Sequence, residues 1–399
     1  MRKPVTAVLA LLTILALAPA AALAGQSAST RWVAGRGDFT PWQLSGVARA
    51  ADGSLVLLPG QAWPGTDPYG PGGYAGGTYY NGGTFFQGEA TGPIVTSAFG
   101  FREAIASWEA STPAGTWVET LLRVQVNGTW TKWYSLGVWA SDFATVRRHS
   151  VGSQADTVAQ VAIDTLLVTA KQAATAWQVK VRLFSADGVA TPTLSASAVT
   201  VSSSPEKNPS VPPGDPARWN QVLAVPACSQ MVYPDGGEVW CSPTSTAMVL
   251  KYWAGDTSAC EPGVRAAVSG VHDWYYRGHG NWPFNTAYAA AQGFQAHVAR
   301  FTSFAQLEAW VSAGVPVILS VAWGKGDLTG APLPSVAGHL IVLVGFDAAG
   351  NAVVNDPAGS SNANVRRTYL RSELEPLWLR HSGGTTYLIY PRGWTVPAL

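Results

Sequence analysis

Charge is scarce in this chain: only 12% of its 399 residues are Asp, Glu, Lys or Arg, with 25 basic residues against 24 acidic ones. Setting aside Arg2 and Lys3, which belong to a candidate leader, leaves 23 basic residues against the same 24 acidic ones, a net charge of −1. That balance argues against nucleic acid or an anionic membrane as a partner. Long apolar runs are missing after residue 24, so no membrane span is expected in the mature chain. There is no Gly-x-x-x-x-Gly-Lys-Ser/Thr loop to cradle a nucleotide phosphate. No histidine spacing matches a zinc helix or turn, including His272-Asp273 and His279. No cofactor and no metal are therefore expected.

Cysteine is equally sparse, with Cys228, Cys241 and Cys260 alone. Three thiols cannot all pair within one monomer, and three pairings are open. The favoured one joins Cys228 to Cys260, enclosing Cys241 in a loop whose closure is worth about 3–4 kcal/mol in a chain-entropy account. An unpaired cysteine in an oxidising compartment marks a candidate reactive thiol.

What is present begins with an export pattern. Arg2 and Lys3 precede the apolar run Val5 to Ala18, and Ala22-Leu23-Ala24 offers small residues for cleavage, so residues 1–24 read as a signal peptide and the protein as secreted. The length suits about two domains. Abundant Gly, Ser, Thr and Trp favour a β-rich extracellular chain.

Residues 30–203 read as an all-β sandwich of jelly-roll type. Trp117 to Val126 alternates apolar and polar residues, Asn127-Gly128 is a hairpin turn, and Thr129 to Leu136 returns. Val161 to Ala170, Trp177 to Phe184 and Thr193 to Ser202 supply further strands. The Gly- and Tyr-rich stretch from Pro64 to Gly88 reads as a long surface loop. Nine tryptophans fall in this region. Core packing is the favoured reading for each, and stacking on a cell-wall glycan or peptide is the alternative.

A proline-rich linker, 204–218, separates this region from a second domain at 219–393. Helices come first, one opening at Pro283 and another over Ser303 to Ser312. Strands follow at Val315 to Val321, His339 to Phe346, Ala352 to Asn355, Arg367 to Leu370 and Thr386 to Tyr390, an α+β order. Near the start of this domain, Ser242 is expected to cap a helix and Pro243 to open it, with Ala247, Met248, Leu250 and Trp253 on its buried face. Cys241 then meets unpaired helix amides that favour a thiolate.

Four residues in order carry a chemistry. Cys241 is the candidate nucleophile, His339 its base, Asp356 the acceptor that fixes the tautomer of that base, and Gln230 a donor to a developing oxyanion. Trp282 and Trp323, with Ser242, are the candidate groove residues. His297 and His381 show no partner in sequence and read as surface residues. Asp347 sits in a turn.

Gln230, Trp240-Cys241-Ser242-Pro243-Thr244-Ser245, Gly338-His339-Leu340 and Asn355-Asp356-Pro357 together resemble the bacteriocin-processing branch of the papain-like cysteine peptidases, and its secreted relatives in particular. The resemblance covers residues 219 to 391. It implies a papain-like fold with Cys241 as nucleophile, His339 as base then acid, Asp356 as its orienter and Gln230 at the oxyanion. Ser107-Trp108, Gly115-Thr116-Trp117 and Lys132-Trp133-Tyr134 likewise resemble the companion β domain of those relatives. The chain departs from the family in having Ser242 where Gly commonly follows the nucleophile, and in lacking transporter domains. Cleavage after a double glycine is therefore not carried over. The expectation is a secreted cysteine peptidase-like hydrolase that cleaves peptide or isopeptide bonds of a peptide or protein substrate through a thioester. The alternative is a catalytically silent cell-envelope protein that binds peptide or glycan.

Overall fold

The computed structural model describes residues 25–399, and the candidate signal peptide at 1–24 lies outside them. Among the described residues no helix is long and apolar enough to cross a membrane.

From Ser27 to Ser202 fifteen strands form two antiparallel sheets of seven and eight strands. The longest pairing joins Thr116–Val126 to Ala174–Ser185, with Trp117 opposite Phe184. Because side chains alternate across a strand, Val118, Leu122 and Val124 enter the core shared by the two sheets, whereas Trp117 points to the opposite face. There it stacks on Phe184 at 5.1 Å and 8° and packs edge-on against Phe85. This outer face explains a departure from the sequence reading. The Pro64–Gly88 stretch is not a free loop: Trp63–Thr66 and Thr84–Thr91 pair as strands, and the tyrosines between them are tied to the sheet. The Tyr79 and Tyr80 hydroxyls donate to the two oxygens of buried Glu119 at 3.0 and 2.7 Å. Six of the nine tryptophans in this region, Trp32, Trp42, Trp108, Trp117, Trp139 and Trp177, are buried, so core packing accounts for most of them.

The second region has five helices: α1 (Cys241–Ala254), α2 (Cys260–Val271), α3 (Trp282–Ala291), α4 (Phe304–Ser312) and α5 (Arg371–Ser382). They accompany a seven-stranded antiparallel sheet. Its main path runs Phe294–Arg300, Thr385–Pro391, Val317–Trp323, Val336–Phe346, Ala352–Asn355 and Arg366–Tyr369, with Gln221–Val222 on Val336–Phe346. Helix α5 has no counterpart in the sequence reading, because Pro376 interrupts it and its apolar pattern is weak. Cys228 and Cys260 form a disulfide that ties the segment before α1 to the first residue of α2, and Cys241 is free.

The two regions share a core rather than a hinge. Phe284 of α3 is buried against the edges of Trp108 at 6.1 Å and Trp139 at 5.4 Å in the first region. Gly137, at φ 145°, gives it room: a Cβ there would lie 3.0 Å from the Phe284 ring. The outer edge of the Phe294–Arg300 strand would otherwise present unpaired amides, and side chains of the first region cover it. Glu109 Oε1 accepts the N–H of Ala296 at 3.0 Å, Ser107 accepts that of Val298 at 3.2 Å, and Thr200 donates to the Val298 carbonyl at 3.0 Å. Arg300 to Glu103 and Arg392 to Glu109 add ion pairs across the same seam. His297 lies on this strand and is buried, not exposed as its sequence context suggested, because the seam covers it.

Candidate active site

Cys241 is the first residue of α1, two positions earlier than the Ser242 cap predicts. Trp240 occupies the N-cap, and the first full helical bond runs from the Thr244 N–H to the Trp240 carbonyl at 3.0 Å. Pro243 is tolerated there because the first-turn amides have no helical partner to lose. Ser242, expected in the groove, is instead buried, and its hydroxyl shares a 2.9 Å hydrogen bond with the Tyr387 hydroxyl. It turns away from the surface that a substrate would touch, so it does not narrow the approach to the thiol.

His339 sits early in the Val336–Phe346 strand, and Asp356 follows directly on Ala352–Asn355. The pairing of Val342 with Asn355 sets these two residues diagonally across the hairpin, within side-chain reach. His339 Nε2 lies 2.8 Å from Asp356 Oδ1. With Nε2 committed, Nδ1 is the ring nitrogen left for the sulfur, and the Cys241 thiol and this ring are near enough to shift one another's protonation. Trp323 packs edge-on against the imidazole at 5.5 Å and 83°, so it supports the histidine rather than forming an outer wall.

Burial alone would keep Cys241 protonated. His339 beside it, with the N–H groups of Leu340 and Ser242, outweighs burial and holds the thiol below its usual value of 9.0. Burial likewise opposes charge on His339, but the Asp356 carboxylate and the sulfur push it up to about 10. Asp356 is held below the usual carboxylate value, against burial, by His339, by the Tyr369 hydroxyl donating to Oδ2 at 2.7 Å and by the Ala358 N–H at 2.9 Å. The favoured state is a thiolate beside an imidazolium.

Gln230 faces the same cleft. Its Nε2 donates one proton to the Gly237 carbonyl at 2.7 Å, which leaves a second N–H, while Oε1 is buried without a partner. Gly237 permits this arrangement: a Cβ there would sit 2.0 Å from the Gln230 carbonyl oxygen.

The thiol opens into a cleft of about 750 Å³ at the seam between the two regions. Gln230, Cys241, Trp282, His339 and His381 line it from one side, and the hairpin around Asp164 from the other. Trp282 lines this cleft, and so does His381, which the sequence reading took for a surface residue. Asp164 was not anticipated. Burial pushes its carboxyl up to about 6, and Oδ2 accepts the Trp282 N–H at 2.7 Å, capping α3 from the other domain. Tyr369 was missed too, since nothing in a strand sequence marks which hydroxyl will reach a carboxylate. His272 and His279 lie 3.2 Å apart at the cleft margin, and burial followed by the charge of His272 lowers His279 to about 4. Among the described residues no three His, Cys, Asp or Glu side chains gather in a metal-holding group.

Comparison with known proteins adds two matches. Residues 29–202 match the peptidase C39 N-terminal domain family, and residues 222–386 match the peptidase C39-like family. No curated protein matches the chain. Among solved structures, a family two carbohydrate esterase from Cellvibrio japonicus is similar at 14% identity over 57% of this chain, with a TM-score of 0.19, too weak a likeness to support any argument. The chain spans 50% of the length of that structure.

Proposed function

Because the chain belongs to the C39-related cysteine peptidases, with a companion domain ahead of the peptidase-like one, we propose that it is a secreted, papain-like cysteine peptidase that hydrolyses peptide or isopeptide bonds. In this reading residues 30–203 form the companion domain, 204–218 the linker and 219–393 the peptidase domain. The observation that carries it is the free Cys241 thiol beside His339 on the wall of a cleft, with His339 hydrogen-bonded at 2.8 Å to the buried Asp356 behind it.

The chemistry follows from that series. The Cys241 thiolate attacks the scissile carbonyl, forming a C–S bond while the carbonyl π pair moves to oxygen. The second N–H of Gln230 and the backbone N–H of Cys241, a first-turn amide without a helical partner, meet the oxyanion. His339 gives its proton to the leaving amine as the C–N bond breaks, and a thioester remains. Water then loses a proton to His339, attacks the thioester, and releases the acid and the thiolate. Asp356 keeps Nε2 engaged throughout, so that Nδ1 serves sulfur, amine and water in turn. Ser242, buried against Tyr387, leaves the oxyanion side open.

Replacing Cys241 by Ala should lower cleavage of a peptide library, read by mass spectrometry, by at least about a thousandfold without changing the melting temperature. Full cleavage by that variant would remove the proposal. Binding of wall fragments by a parent protein that cleaves nothing would favour the silent binding protein instead.

A further inference from the structure

One wall of the cleft comes from the β domain, and its backbone is strained. Val161 to Ala170, which reads in sequence as one strand, is a hairpin: Ala159–Ala162 pairs with Thr165–Val168, and only Ile163 and Asp164 connect them. Ile163 has a φ of 60°, in the left-handed region where a β-branched residue is a genuine outlier. Glycine is the residue that such a two-residue connection ordinarily selects. Nothing in the core requires an isoleucine here, because its side chain is 38% exposed.

The strain is held in place from across the seam. Asp164 is buried, accepts the Trp282 N–H at 2.7 Å and takes a 3.0 Å hydrogen bond from the Thr165 hydroxyl, which pins the tip of the hairpin to the start of α3. The pinned tip lines the same cleft as Cys241. Two more exposed apolar side chains, Val239 at 59% and Tyr276 at 45%, line that cleft as well, and Trp282 stands beside them. A strained, pinned and exposed isoleucine, with further exposed apolar side chains on the same cleft as a reactive thiol, fits a ligand-facing role better than a packing one.

We propose that the Ile163 hairpin tip forms an apolar subsite through which the N-terminal domain selects substrates carrying a bulky apolar side chain close to the scissile bond. The inference rests on the peptidase reading above and adds a substrate class to it. It also gives the companion domain a direct part in binding.

The test compares the full-length parent with Ile163→Gly and Ile163→Asp. Each is given a diverse peptide library, with iodoacetamide labelling of Cys241 and a melting curve as controls. The parent should prefer Leu, Ile, Phe or Trp at one position flanking the cleaved bond. Ile163→Gly should melt no lower than the parent, since glycine relieves the left-handed backbone. It should also lose about tenfold or more in kcat/KM for the best apolar peptide, chiefly through KM. Ile163→Asp should shift the preferred side chain at that position toward Lys or Arg, which a structural role would not do. Labelling rates within about twofold of the parent would show the thiol and imidazole undisturbed. Cleavage with an unchanged side-chain profile in both variants would overturn the subsite alone. A parent that cleaves nothing would overturn the peptidase reading, and the subsite with it.

Discussion

At Cys241 two effects oppose each other. Burial favours the neutral thiol, while the His339 ring, the helix-start position and two backbone N–H groups favour the thiolate, and the second set prevails. The imidazolium owes its persistence to Asp356, whose own charge is held by Tyr369 and the Ala358 amide. The sign of each contribution follows. His339 is raised above its usual 6.5, so its charged form stabilises the fold fully below that value and the contribution is lost as pH rises through about 10. Asp356 is lowered from 3.8, so its contribution is present above that value and is lost as pH falls through the depressed one. Asp356→Asn should therefore bring the His339 titration, followed by NMR, down toward its ordinary range and cut turnover by about 10²–10⁴-fold. Tyr369→Phe should move both in the same direction by less. A His339 titration unchanged in Asp356→Asn would show that the carboxylate is not what charges the ring.

Elements differ in how plainly the sequence announces them, and the reasons are physical. The turn after Phe346 carries Asp347 and Gly350, and the apolar runs on either side, read as a hairpin, put His339 near one end and Asp356 close to the opposing position. The Ile163-Asp164 turn is invisible for the opposite reason: a β-branched residue at positive φ sends no turn signal, so two strands read as one. Helix α5 hides behind Pro376, and the first residue of α1 slips because Ser242 finds Tyr387 rather than a helix amide. Gln230 was recognisable as a position, but its orientation depends on the Gly236-Gly237 segment, where the Gly237 Cα approaches the Gln230 backbone closely. Gly237→Ala forces that backbone away and should lower kcat by about tenfold or more, while iodoacetamide labelling of Cys241 stays near the parent rate. Unchanged kcat in Gly237→Ala would detach Gln230 from the oxyanion.

On the scale of the whole molecule, the two regions belong to one packed body. Phe284 fills the core of the β region, side chains of that region cover an open sheet edge of the other, and the cleft lies where they meet. None of this was legible in sequence, because pairing across a seam leaves no periodicity in either partner. His297, buried at that seam without a hydrogen-bond partner, shows how far such contacts can override a local reading. The proposed chemistry depends on the ionic state of one thiol in the intact, disulfide-bonded chain. The direct measurement is the rate at which iodoacetamide alkylates Cys241 in the full-length protein as a function of pH. The rate should rise at a pH below the ordinary cysteine value of 9.0 and change again where His339 loses its proton, near pH 10. A rate that instead climbs through pH 9 like that of an ordinary cysteine, or no labelling of Cys241 at any pH, would contradict it.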